Sequence, residues 1–207
     1  ETRKKLRKKE AKLAELGPVR HVVARDADAA RAILATYQAQ KTMRMQAKGI
    51  DNVMDSPGAH EFLAAVAVTP LEQGRIAPVE LHALIAGDRM VATFAGAISG
   101  GRFCGMFNSF EQSPEIARNS PGEVLLCKLI SAKCDEGLAA FDLGVGEARY
   151  KSTFCDGVEE LVDAYHPVTA AGRALMWAKG AKQDIKRAIK RDPRLWRWGE
   201  TARRWRA

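Results

Sequence analysis

The stretch FDLGVGEARYK, residues 141–151, sets an aspartate, two glycines and a Tyr-Lys pair directly behind a short apolar run. A dinucleotide-binding turn needs G-x-G-x-x-G opening a βαβ unit, with the third glycine letting helix and strand pack closely. Arg149 occupies that third position. The run before it follows a set of hairpins and a helix, not a fresh βαβ unit. The segment therefore reads as the loop after a strand in an α+β domain, and the elements around it decide which one.

Three β-rich runs lie upstream: VELHALIA (79–86), MVATFAGAI (90–98) and RFCGMFNSF (102–110). The short turn signals GDR and SGG between them predict antiparallel hairpins. After the polar stretch EQSPEIARN, Ser120, Pro121 and Glu123 carry the signature of a helix start, with Ser120 as cap, Pro121 in the first turn and Glu123 completing a capping box. This helix runs to Gly137 and leads into a strand, AAFDL (139–143). A last strand is expected at LVDAYHPV (161–168), and a further helix over 170–190. Upstream of the meander, a charged helix over 1–16 ends at Gly17-Pro18, VRHVVA (19–24) forms a strand, and Asp26 or Asp28 caps a helix reaching about Lys48. Pro57 opens another helix that ends near Val68.

The run S-P-G-x-x-L-L-x-x-L-I (120–130) followed by G-x-x-x-F-D-L-G-x-G-x-x-x-Y-K (137–151) resembles the GNAT superfamily of acyltransferases. It is similar in particular to the branch of cellulose-biosynthesis-associated acetyltransferases, related to the Fem-type peptidyltransferases. The basic start R-K-K-L-R-K-K-E-x-K-L-x-x-L-G (3–17) resembles the segment that precedes the domain in that branch, and the resemblance extends over residues 3–168. It implies a mixed, mostly antiparallel sheet flanked by helices, an acetyl-CoA or other acyl-CoA donor, and an amine or hydroxyl acceptor on a carbohydrate or cell-envelope precursor. Members of the branch are usually longer. The chain starts at Glu1 inside a helical pattern, so a further N-terminal lobe is expected before a linker helix (1–18), an acyltransferase domain (19–168) and a basic, Trp-rich helix and tail (169–207).

One motif departs from the superfamily pattern. The pyrophosphate loop Q/R-x-x-G-x-G/A holds its anion with backbone N–H groups at a helix N-terminus. The matching stretch here is Asn119-Ser120-Pro121-Gly122-Glu123-Val124, in which only the first glycine fits and Glu123 adds a negative charge. Fem-type relatives take an aminoacyl group from tRNA, so the donor stands open between acyl-CoA and aminoacyl-tRNA.

Acyl transfer requires that the acceptor lose a proton, that the carbonyl oxygen be stabilised as it becomes negative, and that the leaving thiolate or alkoxide be protonated. Asp142 is the candidate base or acceptor-orienting group, Tyr150 the candidate acid, and Lys151 the group that neutralises developing charge. Gly144 and Gly146 permit close approach of substrate. Phe107, Asn108 and Ser109 are expected along the extended arm of the donor, and Asn119, Ser120 and Gly122 at its pyrophosphate. Each has a plain structural alternative: Asp142 capping a turn, Tyr150 a half-buried aromatic, Lys151 a solvated lysine. Glu80 and His82 share one strand face, where solvation is expected. His21, His60 and His166 are scattered and suggest no triad, and Ser109 and Ser120 lack a nucleophile-elbow context.

Composition narrows the remaining classes. Hydrophobic residues make up 46% of the 207, enough for a real core. No apolar window reaches the roughly 18 residues of a membrane span, so a cytoplasmic protein is expected, with the inner membrane face as a peripheral site. Cys104, Cys127, Cys134 and Cys155 form no C-x-x-C pair, which argues against zinc. The net charge is +8, but residues 1–13 carry +5 and residues 179–207 carry +8, leaving the body mildly acidic at −5. A basic groove in the core domain is therefore not expected. The basic ends, with Trp196, Trp198 and Trp205 in the second, suit tRNA or an anionic membrane surface. The competing classes are a nucleic-acid-binding protein on an inert scaffold and a catalytically silent interaction module.

Overall fold

A computed structural model describes residues 2–191 except 147, 149 and 163. The three tail tryptophans lie outside the described residues. The chain divides into two units, Glu1–Asp156 and Gly157–Ala207.

In the first unit a five-stranded sheet runs in the order β1 (Val19–Val23), β2 (Glu80–Ala86), β3 (Arg89–Ser99), β4 (Arg102–Phe110) and β5 (Ala140–Asp142). Neighbours are antiparallel except β4 and β5, which are parallel. The expected meander is β2–β3–β4, with register slips where Val91 of β3 and Met106 of β4 have no partner residue opposite. Each such slip bends and twists its strand. The α+β class and the mostly antiparallel sheet are as the sequence implied.

Strand alternation divides the core between two helical layers. On β2, Leu81 and Ala83 face α2 (Ala27–Gln46) and α3 (Pro57–Ala67), where Ala30, Ile33, Leu34, Tyr37 and Leu63 join them. Leu84 and Ala86 face the other way, toward α1 (Thr2–Leu13) and α6 (Pro121–Asp135), with Leu13, Val124, Leu125, Leu126 and Leu129. Burying each of these large aliphatic side chains contributes about 1.5–3 kcal/mol. Two one-turn helices also form, α4 (Thr69–Glu72) and, inside the polar stretch EQSPEIARN, α5 (Pro114–Ala117).

The two helix starts differ in their chemistry. Asp26 has an extended backbone and its carboxylate accepts from the Ala29 N–H at 2.8 Å, as a cap should. Ser120 instead has a positive φ of 47° and makes no side-chain cap, so the expected capping box at α6 does not form. Lys9 of α1 takes both of its members, reaching Ser120 Oγ at 2.7 Å and Glu123 Oε2 at 3.1 Å. The contact spans more than a hundred residues of sequence, and local spacing carries no trace of it.

A second correction concerns His82, which is fully buried because α6 covers the face it shares with Glu80. Its Nδ1 lies 3.2 Å from His21 Nε2 and its Nε2 lies 3.1 Å from Glu80 Oε2. Lys133 of α6, itself 4% exposed, donates to Glu80 at 2.5 Å and to Glu136 at 2.8 Å, and sits over the Phe103 ring. One of the histidines read as scattered, His21, therefore meets His82 across β1 and β2. Burial, then the neighbouring His82, brings the His21 pKa down to about 4. Burial likewise lowers His82, opposed by its bond to Glu80. Glu80 is driven to about 2: burial works against that direction, and the bonds from His82 and Lys133 overcome it.

In the second unit, α8 (Ala170–Arg191) forms as expected. The strand expected at 161–168 does not: among its described residues none is in a strand, and Leu161 and Val162 are exposed. A strand needs a hydrogen-bonded neighbour, and alternating apolarity alone does not supply one. The four-residue α7 (Lys151–Phe154) belongs to the first unit.

The buried His82 and the half-buried His21 set an acid limit. Unfolded histidines protonate near 6.5, while the folded chain refuses protons at His21 and His82. Stability is therefore complete above that pH and falls as pH drops toward about 4. The urea midpoint should change little from about pH 7 to about pH 8, decline below that, and decline less steeply in His21→Gln. Glu80, depressed from 4.5 to about 2, adds a further loss across that lower window.

Candidate active site

Strands β4 and β5 pair over only three positions, Arg102 with Ala140, Phe103 with Phe141 and Cys104 with Asp142, and then part. From Gly105 onward this edge of β4 has no strand partner among the described residues. Two glycines allow the parting to begin in close contact. A Cβ on Gly105 would meet the Asp142 carbonyl and the Phe94 ring at 3.0 Å, and Gly144, at φ 74°, lies against the Gly105 carbonyl. A side chain at either position would push the strand ends apart.

The gap opens into a cleft of about 740 Å³. One wall is β4 from Gly105 to Asn108, another is the loop carrying Gly144, Gly146, Tyr150 and Lys151, and the third is α2 with segment 51–54. Six of the residues expected in the site thus converge: Phe107, Asn108, Gly144, Gly146, Tyr150 and Lys151. Tyr150 is half-buried against the α6-side core and hydrogen-bonded to the Asn108 side chain. Burial raises its pKa, and the Asn108 bond opposes part of that rise. Lys151 Nζ donates to the carbonyls of Gly144 at 2.7 Å and Val145 at 3.1 Å, tying down the glycine loop.

The other expected residues stand apart from this cleft. Asp142 Oδ1 accepts from the Gly144 N–H at 2.7 Å and Oδ2 lies 3.8 Å from Arg102, so its carboxylate shapes the turn. Ser109 is buried, bonded to Thr93 at 2.7 Å and to Gln40 at 2.8 Å. Asn119 borders a smaller cleft of about 380 Å³ with Lys12, Glu115 and Arg118, and its amide donates to the Glu115 carbonyl. Ser120 is held by Lys9, and Gly122 lies over Phe110.

Among the lining residues that the sequence reading missed, two on α2 carry hydrogen-bond donors. Tyr37 and Lys41, one turn apart on α2, both border the cleft. Tyr37 packs on Phe107 with ring centroids 4.5 Å apart and the rings tilted by 43°, and burial, then Asp55, raises its pKa to about 12. Lys41 is half-buried, and burial, then Arg44 and Lys48, lowers its pKa. Their i, i+4 spacing was visible, but the face of α2 that borders a cavity was not. Among the described residues no cluster of three or more His, Cys, Asp or Glu side chains is placed to hold a metal ion. No described helix is long and apolar enough to cross a membrane.

The family model of the acetyltransferase (GNAT) domain matches residues 1–152. No curated protein sequence matches. Among solved structures, the chain is similar to an aminoglycoside acetyltransferase from an uncultured soil metagenomic sample. In complex with trehalose that enzyme superposes with a TM-score of 0.51 at 7% identity, over 73% of this chain and 97% of that one. Its complex with sisomicin gives a TM-score of 0.50 at the same identity and coverage. At such identity the likeness is one of fold.

The lysine anchor on the glycine loop is directly testable. Lys151→Met should speed amide hydrogen exchange at 144–146 while costing only about 0.5–1.5 kcal/mol of global stability. Exchange unchanged at those amides would show that the loop holds its shape without the two carbonyl contacts.

Proposed function

The chain belongs to the acetyltransferase (GNAT) domain family, and from that premise we propose that it moves an acyl group from an acyl-CoA to an amine or hydroxyl of a carbohydrate or cell-envelope precursor. The family makes it an enzyme of the acyltransferase type. The finer reading places it in the cellulose-biosynthesis-associated branch, supported by the SPG-x-x-LL-x-x-LI run and the FDLG-x-G-x-x-x-YK segment.

The observation that carries the reading is the parting of β4 from β5. It leaves backbone donors and acceptors of 105–108 along the cleft without a strand partner, and an extended, amide-bearing arm can pair with such an edge as a strand would. The thioester end then lies beside Tyr150. In the reaction the acceptor nitrogen or oxygen attacks the carbonyl carbon, the new bond forms as the C–S bond breaks, the acceptor gives up a proton and the thiolate gains one. Tyr150, protonated at neutral pH, donates to the departing sulfur, and the proton that the acceptor gives up passes through water to restore the tyrosine. Asp142 and Lys151 act by holding the glycine loop, Asp142 through the Gly144 N–H and Lys151 through two carbonyls. At the start of α6, Asn119, Ser120 and Gly122 take the pyrophosphate, and Lys9 offsets the charge of Glu123 there.

Calorimetric titration with acetyl-CoA, and release of free CoA thiol in the presence of an amine panel, test the reading. Tyr150→Phe should lower kcat on the order of a hundredfold with the Kd for acetyl-CoA nearly unchanged. Lys9→Met should weaken acetyl-CoA binding by roughly two- to fivefold, and Glu123→Gln should tighten it. If deacylated tRNA raises the Tm while acetyl-CoA and free CoA do not, the donor is an aminoacyl-tRNA and the acyl-CoA reading fails.

A further inference from the structure

Tyr37 stands out in the cleft by what its hydroxyl lacks. The residue is 1% exposed, and among the described residues its oxygen is the buried side-chain polar atom with no hydrogen-bond partner. A buried hydroxyl without a partner costs about 1–3 kcal/mol, and native proteins keep few of them. Other buried polar side chains are matched: Gln40, on the same helix, is bonded to Ser109 and to the Met90 carbonyl. The exception lies where the wall of the cleft is made by α2.

One turn on, Lys41 adds a second donor that makes no ion pair with any described carboxylate. Its pKa is lowered by burial and by the like charges of Arg44 and Lys48, so a negative group in the cleft would relieve repulsion that the protein leaves uncompensated. The remaining charged groups on the described lining are Asp51 and Lys151, and the lysine is already engaged with two carbonyls. Two donors on one helical face, one neutral and one cationic, match the two oxygens of a carboxylate or of a phosphate.

We propose that Tyr37 and Lys41 form an anion subsite that selects acceptors bearing a carboxylate or a phosphate beside the group to be acylated. The proposal rests on the acyltransferase reading for the word acceptor, and on the geometry of α2 alone for the subsite. Tyr37 orders the anion through its O–H, and Lys41 supplies the charge. A polycationic acceptor is disfavoured at this wall.

The test uses matched amines: glycine against glycinamide for the carboxylate, and glucosamine 6-phosphate against glucosamine for the phosphate. Binding to the full chain is measured by calorimetry with and without acetyl-CoA, and acylation by thiol release. One anionic member at least should bind about tenfold more tightly than its partner, and the pair that shows the difference identifies the anion. Tyr37→Phe and Lys41→Gln should each bring that ratio toward one, a loss of about tenfold. Tyr37→Phe should also raise the Tm of the free protein, since it removes the unpaired hydroxyl and keeps the ring on Phe107. Equal binding within both pairs would overturn the proposal. So would a matching loss of acetyl-CoA affinity in either variant, which would give both donors to the phosphates of the donor. Anionic preference persisting in a protein that binds no acetyl-CoA would support the subsite and remove the transferase reading instead.

Discussion

The separation of β4 from β5 beyond the Cys104–Asp142 pair is the constraint on which the rest of the structure depends. Parallel neighbours normally continue pairing, and here they stop after three residues. Met106 bulges out of register against β3, which turns the second half of β4 away. Gly105 and Gly144 then let the diverging backbones start from near contact, where any Cβ would wedge them. The Asp142 carboxylate fixes the Gly144 turn from one side and the Lys151 ammonium from the other. The cleft is thus built into the sheet, and its walls include residues from both of the cores that the sheet separates.

Electrostatics differ on the two sides of that sheet. Between the sheet and α6, the ionisable groups are paired: Lys133 holds Glu80 and Glu136, Glu80 holds His82, and His82 meets His21. Such a network is costly to break and does not invite a ligand. Toward the cleft, α2 presents a tyrosine and a lysine whose donors are not taken up by described neighbours. The contrast is one of saturation, not of burial, since Tyr37 is as enclosed as His82.

Most of the fold could be read from local signals. The strand runs and their turn residues set β2, β3 and β4 to within a residue or two, Gly17-Pro18 ended the first helical segment, Asp26 capped α2, and Pro121 opened α6. These features act over a few residues and need no partner to be recognised. The run at 161–168 was expected as a strand and none of its described residues forms one, because pairing depends on a neighbour that a local run does not provide. In the site, the Tyr150–Lys151 pair and the two glycines were visible because loop chemistry after a strand is local.

By itself, then, the sequence determined the α+β class, the meander, the helix starts and the loop that borders the cleft, all through short-range periodicity, capping and turn chemistry. Only the tertiary structure decided what covers what. It buried His82 and bonded the partly buried Glu80 to Lys133 by laying α6 over that face, and gave the members of the expected capping box to Lys9 from the far end of the chain. It also drew Asp142 and Ser109 into internal hydrogen bonds and set Tyr37 and Lys41 on the cleft wall. The physical reason is the same in each case: a side chain's role is fixed by the partners within hydrogen-bonding reach, and those partners come from elements distant in sequence, whose approach no local pattern encodes.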